Sequence, residues 1–394
     1  MVDVGNRCVG CAACAAICPR KCIQMIERED GFAYPIIDAS QCVRCGLCNK
    51  VCPADNVKKI SDSNIKLYAG YIDDKRITQT SSGAVYPQLL DAFFDRYPNG
   101  VAYGVRIQGG ITEHFELHYG QDYSPAYGSK YTQSNLQIVF SKVKEYLKDN
   151  IAVLFSGTPG QVAAIKNYVL SGGGGTQQGK LITQAVLCHG VASPKVLKKY
   201  IEYWENKEQD EIVGIHFRAK DLGWIKYGMK LLFKNGETKF IESKDDLFYK
   251  TFGSNYSLRE SCYHCEYKYP NYHADIVLGD FWNVESIKPA FYNRQGTSIA
   301  FGVTDAGRLI LRDIITHGQF CNITIEQALQ SQKGIVEYTP RPKKREEFFR
   351  DIDNNDFSEY VKKYTKIPPH RKLRILLGKG LRRIRTYMKR WLNE

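Results

Sequence analysis

Two cysteine runs with the same spacing constrain the fold of this chain more than any other feature. The first, from Cys8 to Cys18, reads C-x2-C-x2-C-x3-C-P, and the second, from Cys42 to Cys52, repeats it. Paired disulfides suit short secreted chains, and the opening residues lack the apolar stretch of a secretory signal. Zinc sites use C-x2-C pairs but need neither the third cysteine nor the fourth before proline. The spacing instead indicates two 4Fe-4S clusters.

Such runs share their ligands in a crossed manner. The first three thiolates of each run bind one cluster, and the fourth binds the other. We therefore predict cluster one on Cys8, Cys11, Cys14 and Cys52, and cluster two on Cys42, Cys45, Cys48 and Cys18. Cys22 lies outside both runs and is predicted to be a buried thiol. These ligands place a small α+β domain of the bacterial dicluster ferredoxin type at residues 1–60.

Strand-like and helix-like segments alternate after this domain. KLYAGYI is predicted to be a strand, VAYGVRI and EHFELHY a strand pair, and IAVLFSGTPG and ITQAVLCHG strands that are each followed by a helix. Ser81 or Ser82 is predicted to cap one helix, and Ser193 another. The alternation indicates an α/β domain with a mainly parallel or mixed sheet at residues 61–340. Such sheets bind ligands at the carboxyl ends of their strands, which points to SGTPG and CHGVASP.

The positive charge is concentrated near the C-terminus. From Lys366 onward there are ten Lys and Arg against one acid, a net +9 of the total +13, so the rest is nearly balanced and no nucleic-acid partner is expected. Residues 341–394 are predicted to be a charged extension, outside the core, that ends in a basic amphipathic helix. Such a helix can bind an anionic membrane surface or an acidic partner, or pack on its own protein.

The cysteines also bear on the compartment. Nine of the thirteen lie in the first domain, and thiolate-bound clusters belong in a reducing cytosol. No apolar run is long enough to cross a membrane. We expect a cytoplasmic protein, with peripheral attachment to the inner face of the membrane as a further option.

Several segments together resemble one protein family. The cysteine runs, SSGAV, AYGSKYTQS, LFSGTPGQV, LCHGVASPKVLKKYIE, FRAKDLGW and SCYHCEYKYPNYHADIVLGDFW are similar to the beta subunits of coenzyme F-420 (deazaflavin) hydrogenases and dehydrogenases, above all to bacterial members found among surface-polysaccharide genes. The resemblance covers roughly residues 1–340. It implies an α/β flavin domain beside the ferredoxin domain.

The resemblance also implies cofactors and site residues. The expected cofactors are two 4Fe-4S clusters and FAD, with deazaflavin as an alternative, because a flavin exchanges electrons singly or in pairs. The expected catalytic residues are His189, Lys220 and Asp280. The expected flavin-binding residues are Ser81, Ser82, Gly83, Gly128, Ser129, Lys130, Ser156, Gly157, Thr158, Pro159, Gly160, Gln161, Cys188 and Gly190. For each of them, an ordinary turn, cap or core position is the alternative.

One residue departs from the family pattern. Bacterial members usually read GTPCQ where this chain has Gly160 before Gln161. That cysteine could join Cys188, Cys262 and Cys265 in a further site, so its absence disfavours a third metal site. Packed or redox-active thiols are the preferred interpretation of Cys262 and Cys265.

Two functions remain open on this basis. The first is an oxidoreductase that takes electrons from ferredoxin or a similar donor through both clusters to FAD and an organic substrate, with a sugar or nucleotide-sugar of surface-polysaccharide synthesis as one candidate. The second is a non-catalytic electron-transfer subunit of a larger complex. A membrane-docked scaffold would leave the cluster ligands unexplained.

Overall fold

The structure is a computed structural model that describes residues 3–57, 64–136, 138–171, 179–354 and 356–366. The predicted basic helix of the tail therefore lies outside the described residues, apart from Lys366. No helix in the described ranges is long and apolar enough to cross a bilayer.

The ferredoxin-like domain contains two short helices and one strand pair. Their bounds are α1 (Ala13–Ile17), β1 (Ile23–Glu27), β2 (Ala33–Ile37) and α2 (Leu47–Val51). Strands β1 and β2 are antiparallel. Each helix lies within a cysteine run and has its N-cap in the left-handed region, at Ala12 and Gly46. Both helices pack on the α/β domain.

The rest of the described chain forms the α/β domain. Its first half contains β3 (Lys66–Tyr71), α3 (Val85–Arg96), β4 (Val101–Gln108), β5 (Ile111–Leu117), α4 (Val139–Lys148), β6 (Val153–Gly157), α5 (Pro159–Ser171), β7 (Leu181–Val186) and α6 (Pro194–Glu208). Its second half contains β8 (Ile212–Ala219), β9 (Gly228–Phe233), β10 (Thr238–Glu242), α7 (Leu247–Gly253), β11 (Ile276–Asp280), α8 (Val284–Ile287), β12 (Ser298–Gly302), α9 (Asp305–Ile315), β13 (Gln319–Asn322), α10 (Ile325–Ser331), α11 (Arg345–Asp351) and α12 (Phe357–Thr365).

A mixed eight-stranded sheet forms the centre of this domain. Its strand order is β13-β3-β12-β11-β7-β6-β4-β5. The four strands β11, β7, β6 and β4 are parallel, and the outer strands are antiparallel. A second, antiparallel sheet has the order β10-β9-β8. The predicted mixed α/β architecture is therefore confirmed.

Helices cover both faces of the large sheet. Val153 and Phe155 of β6 pack under α4 and α5, whereas Leu154 packs under α3 and α9. All five residues of β6 are buried, which explains why its sequence is apolar throughout rather than alternating. The carboxyl ends of the parallel strands therefore meet at one edge of a rigid layer.

One sequence prediction about a helix cap is wrong. Helix α3 begins at Val85 with Ala84 as its N-cap, so neither Ser81 nor Ser82 caps it. Pro87 fits inside its first turn, where backbone N–H groups have no intrahelical partner. By contrast, Ser193 caps α6 as predicted, accepting from the Lys195 N–H.

The core also extends further than the charged composition suggested. Helices α11 and α12 bury Phe348, Phe349, Tyr360 and Val361 in the same apolar group as α6 and α7. The charged residues of α12 lie on its outer face, whereas Arg345 of α11 is buried and pairs with Asp30 and Glu260. The prediction that residues 341–394 lie outside the core is thus wrong for the described residues up to Lys366.

Candidate functional site

The four predicted ligands of cluster one lie close together and are buried. Burial raises the pKa of Cys14 to about 12, and negative charge on Cys8 and Cys52 would raise it further. Burial likewise raises the pKa of Cys52 to about 11. These thiols therefore keep their protons unless a metal displaces them, as cluster assembly does. Cys52 comes from the second run, so the grouping fits the crossed assignment.

The predicted ligands of cluster two surround a separate small cavity. It has a volume of about 20 Å³, and its lining includes Cys18, Cys42, Cys45 and Cys48. Cys18 again comes from the other run. Cys22 is buried as predicted but also lines this cavity, with its Sγ 3.4 Å from the Cys18 Sγ. Cys45 is exposed, so this cavity lies near the protein surface.

The thiols are spread rather than converged on a point. Among the described residues, no group of three or more His, Cys, Asp or Glu side chains is arranged to hold a single metal ion. A 4Fe-4S cluster has an iron atom at each ligated corner, so its four thiolates stand farther apart than those around one zinc ion. The two groups of thiols fit such clusters.

A large cavity opens at the carboxyl ends of the parallel strands. Its volume is about 650 Å³, within the range typical of small-molecule sites. Thirteen of the seventeen predicted flavin-binding and catalytic residues line it: Ser81, Ser82, Gly128, Ser129, Lys130, Ser156, Gly157, Thr158, Gln161, Cys188, His189, Gly190 and Asp280. The fold therefore brings most of the predicted set together.

Four predicted residues do not line this cavity. Pro159 and Gly160 line a smaller neighbouring cavity of about 60 Å³. Gly83 packs against backbone, where an added Cβ would lie 2.7 Å from the Gly70 carbonyl oxygen. The Lys220 Nζ donates to the carbonyl oxygens of Ile77, Ser82 and Gln295. Lys220 thus holds the loop that contains Ser82 in place instead of facing the cavity.

Hydrogen bonds fix the two cavity loops that contain Ser81 and Ser129. The Ser129 N–H donates to the Ser81 Oγ at 2.7 Å, and the two hydroxyls lie 2.9 Å apart. Lys130 donates to three carbonyl oxygens, those of Pro125, Tyr127 and Gly128. Burial lowers the pKa of Lys130 to about 7, whereas the three carbonyls favour its charged form.

Arg218 is the main functional candidate that the sequence reasoning missed. Its side chain is only 3% exposed, pairs with Asp280 at 3.3 Å and donates to the Ser81 carbonyl oxygen at 3.1 Å. Its guanidinium lies 3.8 Å from the centre of the Tyr227 ring. The buried Arg218 Nε has no partner among the described residues. FRAKDLGW contains this arginine, but only the fold brings it to Ser81 and Asp280.

Asp280 and His189 occupy different parts of the cavity wall. Asp280 also accepts from the Trp224 Nε1 at 2.9 Å, so it is firmly oriented. The His189 Nε2 lies 2.9 Å from the Asn255 Oδ1, and burial lowers the pKa of His189. The lowered pKa keeps this imidazole mostly neutral at pH 7; it can accept a proton in that form and donate one in its protonated form. Trp224 is buried in the core, while Trp282 lines the cavity.

Only a thin wall separates the large cavity from the loop of cluster one. Thr158, Gln161, Cys188 and Val191 line both the large cavity and the smaller one. The smaller cavity is lined on its other side by Val9, which follows the ligand Cys8. Cluster one is therefore the inner cluster and cluster two the outer one.

The departure from the family motif lies in this wall. Gly160 is in the first turn of α5, and a Cβ there would lie 3.1 Å from the nearest Val9 side-chain atom. Cys188, Cys262 and Cys265 line the same small cavity, and burial raises the pKa of Cys188 to about 12. These are desolvated thiols with low reactivity.

The buried side chain of His114, next to the cavity, makes the free energy of unfolding depend on pH. Its ring stacks on Phe155, and its Nε2 lies 2.9 Å from the Ser156 carbonyl oxygen. Burial lowers the pKa of His114 to about 4 from 6.5. Because the unfolded chain binds this proton first, stability is lost as the pH falls from 6.5 towards 4, by about 3 kcal/mol in all.

We expect His114→Gln to have a flatter dependence of melting temperature on pH in this window than the unmodified protein. Subtracting the melting-temperature curve of one protein from that of the other removes the contribution of all other titrating groups. Parallel curves from pH 7.5 to 5.5, measured without oxygen, would contradict the assignment.

The fold and site together define an iron-sulfur electron-transfer protein with a ligand cavity beside its inner cluster. Residues 7–56 match the 4Fe-4S dicluster domain, and residues 151–328 match the C terminus of the coenzyme F420 hydrogenase/dehydrogenase beta subunit. These two matches confirm the predicted resemblance to this family.

Several chains of solved structures are similar to this chain. A chain of the F420-reducing NiFe hydrogenase complex from Methanosarcina barkeri is 17% identical, with a TM-score of 0.47, and the match covers 68% of this chain and 88% of that one. No curated protein sequence matches.

Proposed function

We propose that this protein is an oxidoreductase that passes electrons through two 4Fe-4S clusters to FAD and on to an organic substrate. The main support for this proposal is the wall between the two cavities, because it lies between the predicted inner cluster and the large cavity. This wall is formed by Thr158, Gln161, Cys188 and Val191. Single electrons then reach a site large enough for a nucleotide cofactor.

The cavity fits a flavin nucleotide in size and chemistry. Its backbone turns at Gly128 and Gly157 and the hydroxyls of Ser81 and Ser129 suit a pyrophosphate. The buried, partly unpaired guanidinium of Arg218 supplies a cation at the same place. FAD in this position would exchange electrons singly with a cluster and in pairs with a substrate.

The protein's own residues would orient the substrate and move protons. Asp280 is held by Arg218 and Trp224, so it can present a fixed carboxylate edge to a bound ligand. His189 opens to the cavity and can donate a proton to a reduced product. Cys45, exposed at the outer cluster, marks the face where ferredoxin or a similar one-electron donor would dock.

The finer identity of the substrate rests on the resemblance alone. Deazaflavin, a sugar or a nucleotide-sugar of surface-polysaccharide synthesis are the substrates we would test. Attachment to the inner face of a membrane rests on residues 367–394, which lie outside the described residues. Sedimentation with anionic vesicles should fall when the chain is cut after Lys366, and equal binding would remove that idea.

The deciding experiment uses the protein purified without oxygen. We expect about eight iron atoms and eight sulfides per chain, as two cubane clusters require, and bound FAD or uptake of FAD on reconstitution. Adding reduced ferredoxin should then bleach the flavin absorbance.

A chain with the same iron that never binds flavin would instead be the non-catalytic electron-transfer subunit of a larger complex. Loss of flavin uptake in Ser81→Trp, whose bulk would fill the cavity, would locate the flavin there. Gly334→Ala serves as the control, since Gly334 is exposed and does not line the cavity, and a Cβ added there would have nothing within 4 Å.

A further inference from the structure

One arginine of the α/β domain reaches into the ligand shell of the inner cluster. Arg259 is 1% exposed, and its Nη2 donates to the Cys8 Sγ at 3.5 Å. Its Nε donates to the Cys8 carbonyl oxygen at 2.7 Å, and its Nη2 also donates to the Ala33 carbonyl oxygen. Its Nη1 donates to the Gln133 side chain at 3.0 Å. The guanidinium is thus fixed in both position and orientation.

The charge of this arginine has no carboxylate counterpart. Every hydrogen bond that the guanidinium makes within the described residues goes to a neutral acceptor or to the Cys8 sulfur. The rings of Tyr34 and Phe32 lie 4.3 and 5.2 Å from it. Because a buried charge is costly unless it is paired, a negative group is required at this place. The thiolate of Cys8, bound to a cluster, is that group.

The outer cluster lacks an equivalent. In the described part of the chain, the sulfurs of its four cysteines form side-chain hydrogen bonds with Cys22 and Asn49. The exposed Arg20 and Arg44 line the outer cavity, but among the described residues no guanidinium donates to these sulfurs. The two sets of ligands have the same spacing in the sequence. The difference in their hydrogen bonds therefore comes from the way the α/β domain packs on the ligands of the inner cluster.

We propose that Arg259 is a positioning residue that raises the reduction potential of the inner cluster above that of the outer one. The inference rests on the proposed function. Reduction adds one electron, and hence one negative charge, to the cluster and its thiolates. A fixed cation and an N–H donor at the Cys8 sulfur stabilise that added charge. The potential difference then directs electrons inward, from the exposed face to the large cavity.

Gln133 offers a matched control because it holds the same loop without a charge. Its Nε2 donates to the carbonyl oxygens of Val9 and Gly10, both at 2.9 Å. A Cβ on Gly10 would lie 2.4 Å from that nitrogen and 2.5 Å from Arg259, so the side chains of Gln133 and Arg259 fit closely around this loop. Changing Gln133 loosens the loop, whereas changing Arg259 also removes the cation.

The test is a redox titration of the full-length protein with both clusters, followed by paramagnetic resonance. Arg259→Met should lower the reduction potential of the inner cluster by at least about 59 mV. This shift corresponds to a tenfold change in the one-electron equilibrium constant. The outer cluster of the same molecule should keep its potential. Gln133→Met should shift the inner cluster by less than half as much.

Three results would overturn the proposal: an unchanged inner potential, an equal shift of both clusters, or an equal shift in Gln133→Met. If Arg259→Met does not assemble the inner cluster, Arg259→Lys decides. Lysine keeps the charge but loses the planar fork of donors, so the inner potential should fall, but by less than the roughly 59 mV expected for full loss of the cation. An unchanged potential would count against the proposal. Flavin and substrate are absent, so failure of the proposed reaction would be seen separately, in the flavin assay.

Discussion

Replacing both Cys18 and Cys22 with alanine is expected to remove the outer cluster and to leave the inner one in place. Cys18 is close in sequence to Cys14, but it lines the cavity of Cys42, Cys45 and Cys48. Iron should fall from about eight to about four atoms per chain, the content of one cubane cluster. Site-resolved paramagnetic spectra should show the signal of the inner cluster alone.

Cys22 determines how this experiment has to be designed. Its sulfur lies 3.4 Å from that of Cys18 and lines the same cavity, so it can replace the missing ligand. We therefore expect the full loss of iron only in the double variant Cys18→Ala/Cys22→Ala. Cys22→Ala alone is the control and should retain both clusters. Loss of the inner cluster in either Cys18 variant would show that the crossed assignment is wrong.

Replacing Arg218 with methionine is expected to cause the largest loss of stability of any cavity substitution. It leaves the partly buried carboxylate of Asp280 without its cation and the Ser81 carbonyl oxygen without a donor. Breaking a buried pair by removing one partner typically costs about 3–5 kcal/mol. Chemical unfolding of the cluster-loaded protein, compared with the unmodified chain, measures this loss.

A second substitution separates the stability of the pair from its role in the cavity. Arg218→Met/Asp280→Asn should recover part of the lost stability, because no unpaired charge remains. Flavin uptake should stay low in the double variant, because the cation at the cavity is still missing. Normal flavin uptake by a stable double variant would show that Arg218 serves the fold alone.

Much of the fold could be predicted because its signals are local. The apolar run of β6, the hairpin around Asn235 and Gly236, and the cap of α6 at Ser193 all depend on residues next to one another. The carboxyl ends of the strands could be placed for the same reason. Helix α12 was missed because its many charges dominate the composition, although its buried face repeats at helical spacing.

The candidate site could be predicted only in part. Thr158 and Cys188 follow strands and were found because strand ends meet at one sheet edge, whereas Ser129 came from the family resemblance. The orientation of Lys220 could not be found that way. Its carbonyl partners are 75 to 143 residues away in sequence. Arg218 and Arg259 were missed for the same reason, since nothing in their own segments shows which groups they meet.

The sequence by itself determined the cluster-binding type of this chain, because the geometry of a 4Fe-4S site imposes a short, regular spacing on the cysteines of each run. It also determined the family, through an ordered set of motifs. Only the tertiary structure decided which cluster faces the large cavity and which group supplies the inner one with a positive charge. Those properties depend on contacts such as that between Cys8 and Arg259, which are 251 residues apart and meet only when the two domains pack together.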